Sequence, residues 1–483
     1  MGQKRYCLAC ASGSWYRSNF IEDHPVIRLL LTLAFVVGAS QAPAAEPAKP
    51  NIIVIFADDL GYGDLGCYGH PTIRTPHLDQ MAREGMRFTS WYSGAEVCTP
   101  SRAALLTGRL PPRSGLCSNN RRVLFPGSKG GLPAEEVTIA ELLKGQGYAT
   151  GCLGKWHLGH LPQFLPTKQG FDSYFGVPYS NDMDRIATAP KGRAAFLEPK
   201  SEYWHAPLMR NEEVIERPAE QTTLTKRYTE EAVKFIRKHK DGPFLLYMPH
   251  TMPHVPLFAS QDFTGKSRRG LYGNVVEELD WSVGQVLATL KQEKLDQNTL
   301  VFFTSDNGPW LTQFEQGGSA GLLRDGKGST FEGGMREPAI AWWPGKIVPG
   351  STNDEIVSTM DIFATAAALS GAKLPSDREL DCYDLTPVLT GKGPCSREAY
   401  FFYRGFQLMA IRLGPWKAHF ATQPGYGQPM PEQHETPQLY NLDIDPSERF
   451  NVAAQHADII EKIQAIAEAH RAKMQAAKSQ LEL

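Results

Sequence analysis

Nowhere does this chain carry an Asn-x-Ser/Thr acceptor, so N-linked glycosylation is excluded. Cysteine is scarce as well. Of eight in 483 residues, six follow residue 45: Cys67, Cys98, Cys117, Cys152, Cys382 and Cys395. They are too few and too scattered for a disulfide framework, although Cys382 and Cys395 are open to pairing. None stands at the paired spacing of a structural zinc site. No basic run breaks a balance of 50 Lys and Arg against 52 Asp and Glu, which argues against a nucleic-acid partner. Long apolar runs are missing too, with one exception near the start. There Arg28 leads into Leu29–Val37 and then Ala42-Pro43-Ala44-Ala45. A basic residue, a short apolar run and an Ala-x-Ala site describe a signal peptide over 1–45. The run is short for a membrane span, so cleavage is favoured over a retained anchor. With the missing glycan acceptors, the expectation is a bacterial exported protein, periplasmic or secreted.

After a linker over 46–50, apolar runs of strand length alternate with helical patterns. Asn51–Ala57 is continuously apolar, the mark of a strand covered on both faces. Further strands are expected at 148–153, 244–248, 300–303 and 339–343. Helices are expected at 76–84, 135–144, 222–240, 274–294 and 361–369. Between 160 and 220 periodicity is lost, and functional loops are expected. The alternation predicts an α/β domain over 51–375: a large mixed, mostly parallel sheet flanked by helices. Beyond Pro375 short strands at 399–403, 409–413, 416–420 and 438–442 precede a helix from about 454 to the end. They predict a smaller antiparallel sheet plus helix over 376–483.

Ligands bind beyond the carboxyl ends of strands in such sheets, and polar residues gather there. The first strand runs into Asp58-Asp59, the 148 strand into Gly154-Lys155-Trp156-His157. The 244 strand meets His250 and His254, and the 300 strand meets Asp306-Asn307. Asp58, Asp59, Asp306 and Asn307 offer only oxygen, which suits a hard cation such as Ca²⁺, with Mg²⁺ as the alternative. His250 and His254 have the spacing of a zinc protease, but Pro249, Pro253 and Pro256 deny them a helix. His160 and His250 read as locally satisfied histidines. Lys155 and Lys327 are glycine-flanked, which lets a point charge approach an oxyanion. Finally, Cys98-Thr99-Pro100-Ser101-Arg102 opens a helix that Gly108 stops, with Thr99 as cap and Pro100 as first helical residue. A cysteine at that mouth is expected to be more reactive than a core cysteine.

Cys-x-Pro-x-Arg, Phe-Ala-Asp-Asp-Leu-Gly-Tyr-Gly-Asp-Leu-Gly at 56–66, Gly-Lys-Trp-His-Leu-Gly-His at 154–160 and Phe-Glu-Gly-Gly-Met-Arg-Glu-Pro at 331–338 occur here in order. Together they resemble the sulfatase family across the chain from Asn51 onward. The 56–66 stretch is similar to its arylsulfatase A branch, the latter two to its N-acetylgalactosamine-6-sulfatase branch. The resemblance implies an alkaline-phosphatase-like fold. It also implies hydrolysis of a sulfate monoester, on a sulfated glycan or an aryl sulfate, by a formylglycine (3-oxoalanine) made from Cys98 by a maturation enzyme. By the same resemblance Asp58, Asp59, Asp306, Asn307 and residue 98 hold Ca²⁺, and Arg102 orients the aldehyde hydrate. Lys155, His254 and Lys327 clamp the sulfate, joined by Ser180. His254 or Lys327 protonates the leaving oxygen, and His157 takes a proton from the hydrate's second hydroxyl. Asp325 stands where animal members carry a cysteine. A phosphate or phosphonate monoester hydrolase of the same superfamily and a non-catalytic sulfated-glycan binder are the alternatives.

Overall fold

A computed structural model of the chain describes residues 49–426 and 430–483. The expected signal peptide and residues 46–48 of the linker lie outside the described residues. The described residues form one compact unit that contains two sheets.

The large sheet has eleven strands: β1 (Asn51–Ala57), β2 (Met86–Tyr92), β3 (Ala149–Leu153), β4 (Ser173–Gly176), β5 (Leu208–Arg210), β6 (Glu213–Glu216), β7 (Phe244–Pro249), β8 (Thr299–Ser305), β9 (Arg336–Trp342), β10 (Ser351–Asn353) and β11 (Val357–Ser358). Their order is β10-β2-β9-β8-β1-β7-β3-β4-β5-β6, with β11 also on β2. The centre, β8-β1-β7-β3-β4, is parallel throughout, while β9, β5 and β6 run antiparallel to their neighbours.

All seven residues of β1 are buried, and the period of two explains why. Ile53 and Ile55 face a core shared with α1 (Pro76–Glu84), whereas Ile52, Val54 and Phe56 face the opposite core with Leu105 and Leu106 of α2 (Cys98–Thr107). The second face also carries α3 (Ile139–Lys144), and the first carries α4 (Leu224–Lys238) and α5 (Gly270–Gln292). With α6 (Asp361–Ser370) on the α2 side, the sheet is covered on both faces. The small sheet is antiparallel: β12 (Ala399–Arg404), β13 (Gln407–Leu413), β14 (Trp416–Thr422) and β15 (Glu432–Asn441), with α7 (Ala457–Lys473) packed on it.

Several expectations are corrected. Helix α2 begins at Cys98, so the cysteine is its first residue. Thr99 is no cap, because its hydroxyl is spent on the His157 carbonyl. Helix α3 begins at Ile139 instead of 135, where Thr138 and Glu141 close a capping box. The loop region 160–220 contributes three short strands to the sheet edge. Helix α7 stops at Lys473, and the tail returns to the main domain through Ala477 N–H to Pro112 O and Gln480 N–H to Gly115 O, burying Leu481. Cys382 and Cys395 are both free.

Candidate active site

The four strands that carry polar ends are the contiguous parallel set β8-β1-β7-β3. Parallel neighbours bring their carboxyl ends to one edge, so Asp58 and Asp59, Asp306 and Asn307, His254 and Lys155 converge. Helix α2 delivers Cys98 and Arg102 to the same place. All eight residues are buried, as is Lys327.

Asp58 is the hub. Its Oδ2 accepts from Lys155 Nζ at 2.5 Å and lies 3.4 Å from Arg102 Nη2, and its Oδ1 lies 3.5 Å from Cys98 Sγ. Arg102 donates Nε and Nη2 to Asp306 Oδ2 at 3.0 and 2.7 Å and Nη1 to the Lys155 carbonyl at 2.8 Å. Asp59, whose φ is +64°, accepts from Lys327 Nζ at 2.8 Å and from Asn307 Nδ2 at 2.7 Å. His254 Nε2 stands 3.6 Å from Asp59 Oδ2 and Lys327 Nζ stands 3.6 Å from Cys98 Sγ. Ser180 Oγ accepts from Lys155 Nζ at 3.1 Å.

Three carboxylates thus face three fixed cations, in a place from which water is largely excluded. Burial works against the Asp58 carboxylate, yet Lys155, Arg102, His254 and Lys327 outweigh it and hold its pKa well below the usual range. Burial, with Asp58 and Asp306 as repelling neighbours, pushes Asp59 up to about 7 against the pull of Lys327. Asp306 is raised by burial and by Asp58. The Lys327 ammonium resists burial and is held above its usual range by Asp59.

Cys98 departs from the expectation of a reactive thiol. Burial raises its pKa far beyond the reach of Lys155 and Lys327 to lower it, so the side chain is a neutral thiol.

The histidines divide by tautomer. His157 Nε2 is 2.9 Å from the Leu124 carbonyl, which can only accept, so the proton sits there. Its buried Nδ1 has no partner and keeps a lone pair. His254 Nδ1 faces the Val255 carbonyl at 2.5 Å, which leaves Nε2 as the acceptor. Burial and the adjacent cations hold both rings neutral. His250 is not satisfied as expected: both of its nitrogens are buried without partners, and burial lowers its pKa to about 3. His160 is half-buried against the edge of Tyr179.

Asp58, Asp59, Cys98 and His254 each offer a ligand atom within 4.8 Å of the others. Asn307 Oδ1 is buried and has no hydrogen-bond partner. Buried carboxylates with an orphaned amide oxygen fit a hard divalent cation.

Other neighbours were not singled out from the sequence. Glu337 is fully buried, Oε2 lacks a partner, and burial beside Asp306 and Asp59 keeps it protonated. Asp182, whose Oδ1 is buried and unpartnered, sits in the segment read as irregular loop. Trp310 and Tyr426 wall the site, with ring centres 5.2 Å apart and Lys327 Nζ 4.5 Å from the Trp310 ring. Asp325 takes a structural role of its own: at φ +64° its Oδ2 accepts from Gly425 N–H at 2.8 Å, which holds the loop leading to Tyr426.

The Sulfatase family model matches residues 50–372, and the model for the C-terminal region of aryl-sulfatase matches 395–483. Arylsulfatase A of Homo sapiens is 44% identical over 447 residues, which span 88% of this chain and 86% of that one. The N-acetylgalactosamine-6-sulfatase of Canis lupus familiaris is 41% identical over 481 residues, or 92% and 89% of the two chains. Among solved structures, the PsFucS1 sulfatase from Pseudoalteromonas sp. superposes with a TM-score of 0.79 at 31% identity, covering 88% of this chain and 90% of that one.

Proposed function

Because this chain belongs to the sulfatase family of sulfuric ester hydrolases, we propose that it removes sulfate from a sulfated glycan, with aryl sulfates as small surrogates, through a formylglycine made from Cys98. The observation that carries this reading is Cys98 Sγ between Asp58 Oδ1 and Lys327 Nζ, at 3.5 and 3.6 Å. A bound Ca²⁺, with Mg²⁺ as the alternative, would be held by Asp58, Asp59, Asp306, Asn307 and residue 98, and would supply positive charge to the sulfate oxygens. The hydrated aldehyde would supply one hydroxyl to attack sulfur and a second to expel sulfate, which a thiol lacks.

The remaining work falls to the chain's own groups. Arg102, locked to Asp306 and the Lys155 carbonyl, orients residue 98 from one turn into α2. Lys155 and Lys327 bind sulfate oxygens, with Ser180 steering Lys155. A neutral His254, its proton committed to Val255, has none to give at Nε2. Lys327 is therefore the proton donor to the leaving oxygen, and His254 an acceptor toward the ester or the cation. His157 Nδ1, neutral and unpartnered, is the base for the second hydroxyl. The protein is exported and matured by a formylglycine-generating enzyme. Residues 51–375 form its catalytic part and 376–483 its C-terminal part.

Peptide mass spectrometry at residue 98, followed by p-nitrophenyl sulfate hydrolysis, tests the proposal. We expect an aldehyde at residue 98, activity lost on chelation and restored by Ca²⁺, and a loss of at least about 10³-fold in Cys98→Ala. Full activity in Cys98→Ala would sink the mechanism. Faster hydrolysis of p-nitrophenyl phosphate than of the sulfate would favour the phosphoester alternative.

A further inference from the structure

Beside Lys327 lies a cavity of about 300 Å³, lined among others by Glu96, Val97, Ser118, Asn120, Arg122 and Arg404. That volume is at the lower end of what small-ligand sites occupy. It adjoins the nucleophile through backbone on both sides. Glu96 and Val97 immediately precede Cys98, and Gly328 N–H donates to the Glu96 carbonyl at 2.8 Å. Arg122 Nη1 donates to the Gly328 carbonyl at 3.2 Å, and its guanidinium lies 4.9 Å from the Tyr426 ring centre. Arg122 thus connects the cavity lining to Tyr426, whose ring packs on Trp310 at the wall of the ester site.

The charges here do not balance. Arg122 and Arg404 face a single carboxylate, Glu96, which lies 3.5 Å from Arg122 Nη1. Arg404 has no ion pair among the described residues, and its Nε is buried without a hydrogen-bond partner. Burial and the neighbouring Arg122 depress the Arg404 pKa, while burial raises that of Glu96. A guanidinium in such a place is short of an anion, and its planar fork suits a carboxylate or a sulfate.

We propose that this cavity is a second anion subsite, which holds a carboxylate or a further sulfate on the sugar next to the one bearing the scissile ester. The proposal rests on the sulfatase reading above and narrows its substrate class to glycans with two adjacent anionic groups. Arg404 is the principal contact, Arg122 its partner on the side of the ester, and the Tyr426 ring the surface along which the two sugars lie.

Calorimetric titration of Cys98→Ala protein, which binds without turnover, separates this subsite from catalysis. Four probes suffice: N-acetylgalactosamine-6-sulfate, its disaccharide with a neutral galactose neighbour, its disaccharide with a uronate neighbour, and its disaccharide with a sulfated galactose neighbour. The uronate or the second sulfate is expected to tighten binding about tenfold over the neutral-neighbour disaccharide. Whichever of the two does so identifies the anion. Arg404→Gln in the same background should reduce that gain to within twofold, and Arg404→Lys should keep most of it. Equal affinity for all three disaccharides, or an Arg404→Gln loss as large on the monosaccharide as on the charged disaccharides, overturns the subsite. Failure to bind any of the probes overturns it as well. Failure of the underlying reading shows separately, as absence of p-nitrophenyl sulfate hydrolysis by matured Arg404 protein.

Discussion

At the scale of single residues, Arg102 does what no other side chain in the site does. It joins helix α2 to three strand ends, through two donors to Asp306, one to the Lys155 carbonyl and a close approach to Asp58. Its guanidinium is wholly buried, so its partners have no water to turn to if it is shortened. Lysine keeps the charge but not the fork. Arg102→Lys is expected to lower stability by about 1.5–3 kcal/mol, the scale of a lost buried hydrogen bond to a charged group. It should also reduce kcat/KM on an aryl sulfate by about 100-fold through misplacement of residue 98. Denaturant unfolding and steady-state kinetics check both. A variant within twofold of the parent in rate would mean that Asp306 and Asp58 are oriented by something else. The strand-end residues were legible because each follows an apolar run that ends abruptly in polar groups. What spacing does not reveal is protonation. The neutral, buried Cys98 thiol and the tautomers of His157 and His254 depend on carbonyls of Leu124 and Val255, which carry no signature in sequence.

Among the elements, the central parallel strands were readable because burial on both faces demands unbroken apolar runs. The edge was not. Strands β4, β5 and β6 have three or four residues each and carry polar residues such as Arg210 and Glu213, so composition hides them. Strand β9 shows the same limit in another form: its apolar run was evident, but direction is decided by its neighbours β8 and β2. Helix α5 carries a feature that length and periodicity also conceal. Glu278 is 1% exposed, accepts from Ser260 N–H at 2.8 Å through Oε2, and leaves Oε1 buried without a partner. Burial raises its pKa from 4.5 to about 7. Below about pH 4.5 folded and unfolded chains both hold this proton, and between there and about pH 7 only the folded chain does. Stability from this group is thus present at low pH and is lost as pH rises through 7. Glu278→Gln keeps the bond to Ser260 and removes the titration, so the melting temperature should fall less between pH 5 and 8 in the variant. The difference amounts to up to about 3 kcal/mol. Parallel melting curves in the two proteins would show that Glu278 is solvated.

For the molecule as a whole, the small sheet is more than a cap, because it grips the segment that carries Lys327. Lys417 on β14 is fully buried and donates to the Thr330 carbonyl and to Glu332 at 2.8 Å each, and lies 3.1 Å from Glu448. Glu448 in turn accepts from the Glu332 N–H at 2.6 Å, meets His419 Nε2 at 2.6 Å, and gives its carbonyl to Arg324 at 2.7 Å. Residues 324, 330 and 332 bracket Lys327, so its ammonium is aimed from outside the sheet that holds the carboxylates. Burial opposes the Glu332 charge, but Lys417, Arg336 and Arg412 overcome it and bring its pKa down to about 2. If this network sets the position of Lys327, Lys417→Met should cost about 3–5 kcal/mol of stability, since it strands two buried carboxylates. Adding Glu448→Gln removes one of those stranded charges, and the double variant should recover more than about 1 kcal/mol relative to the sum of the single losses. The same cycle read in kcat/KM tells positioning from mere stability. Coupling in the rate at a temperature where all four proteins are folded means that the small sheet aims Lys327. Additive rate losses there would reduce it to a packing element.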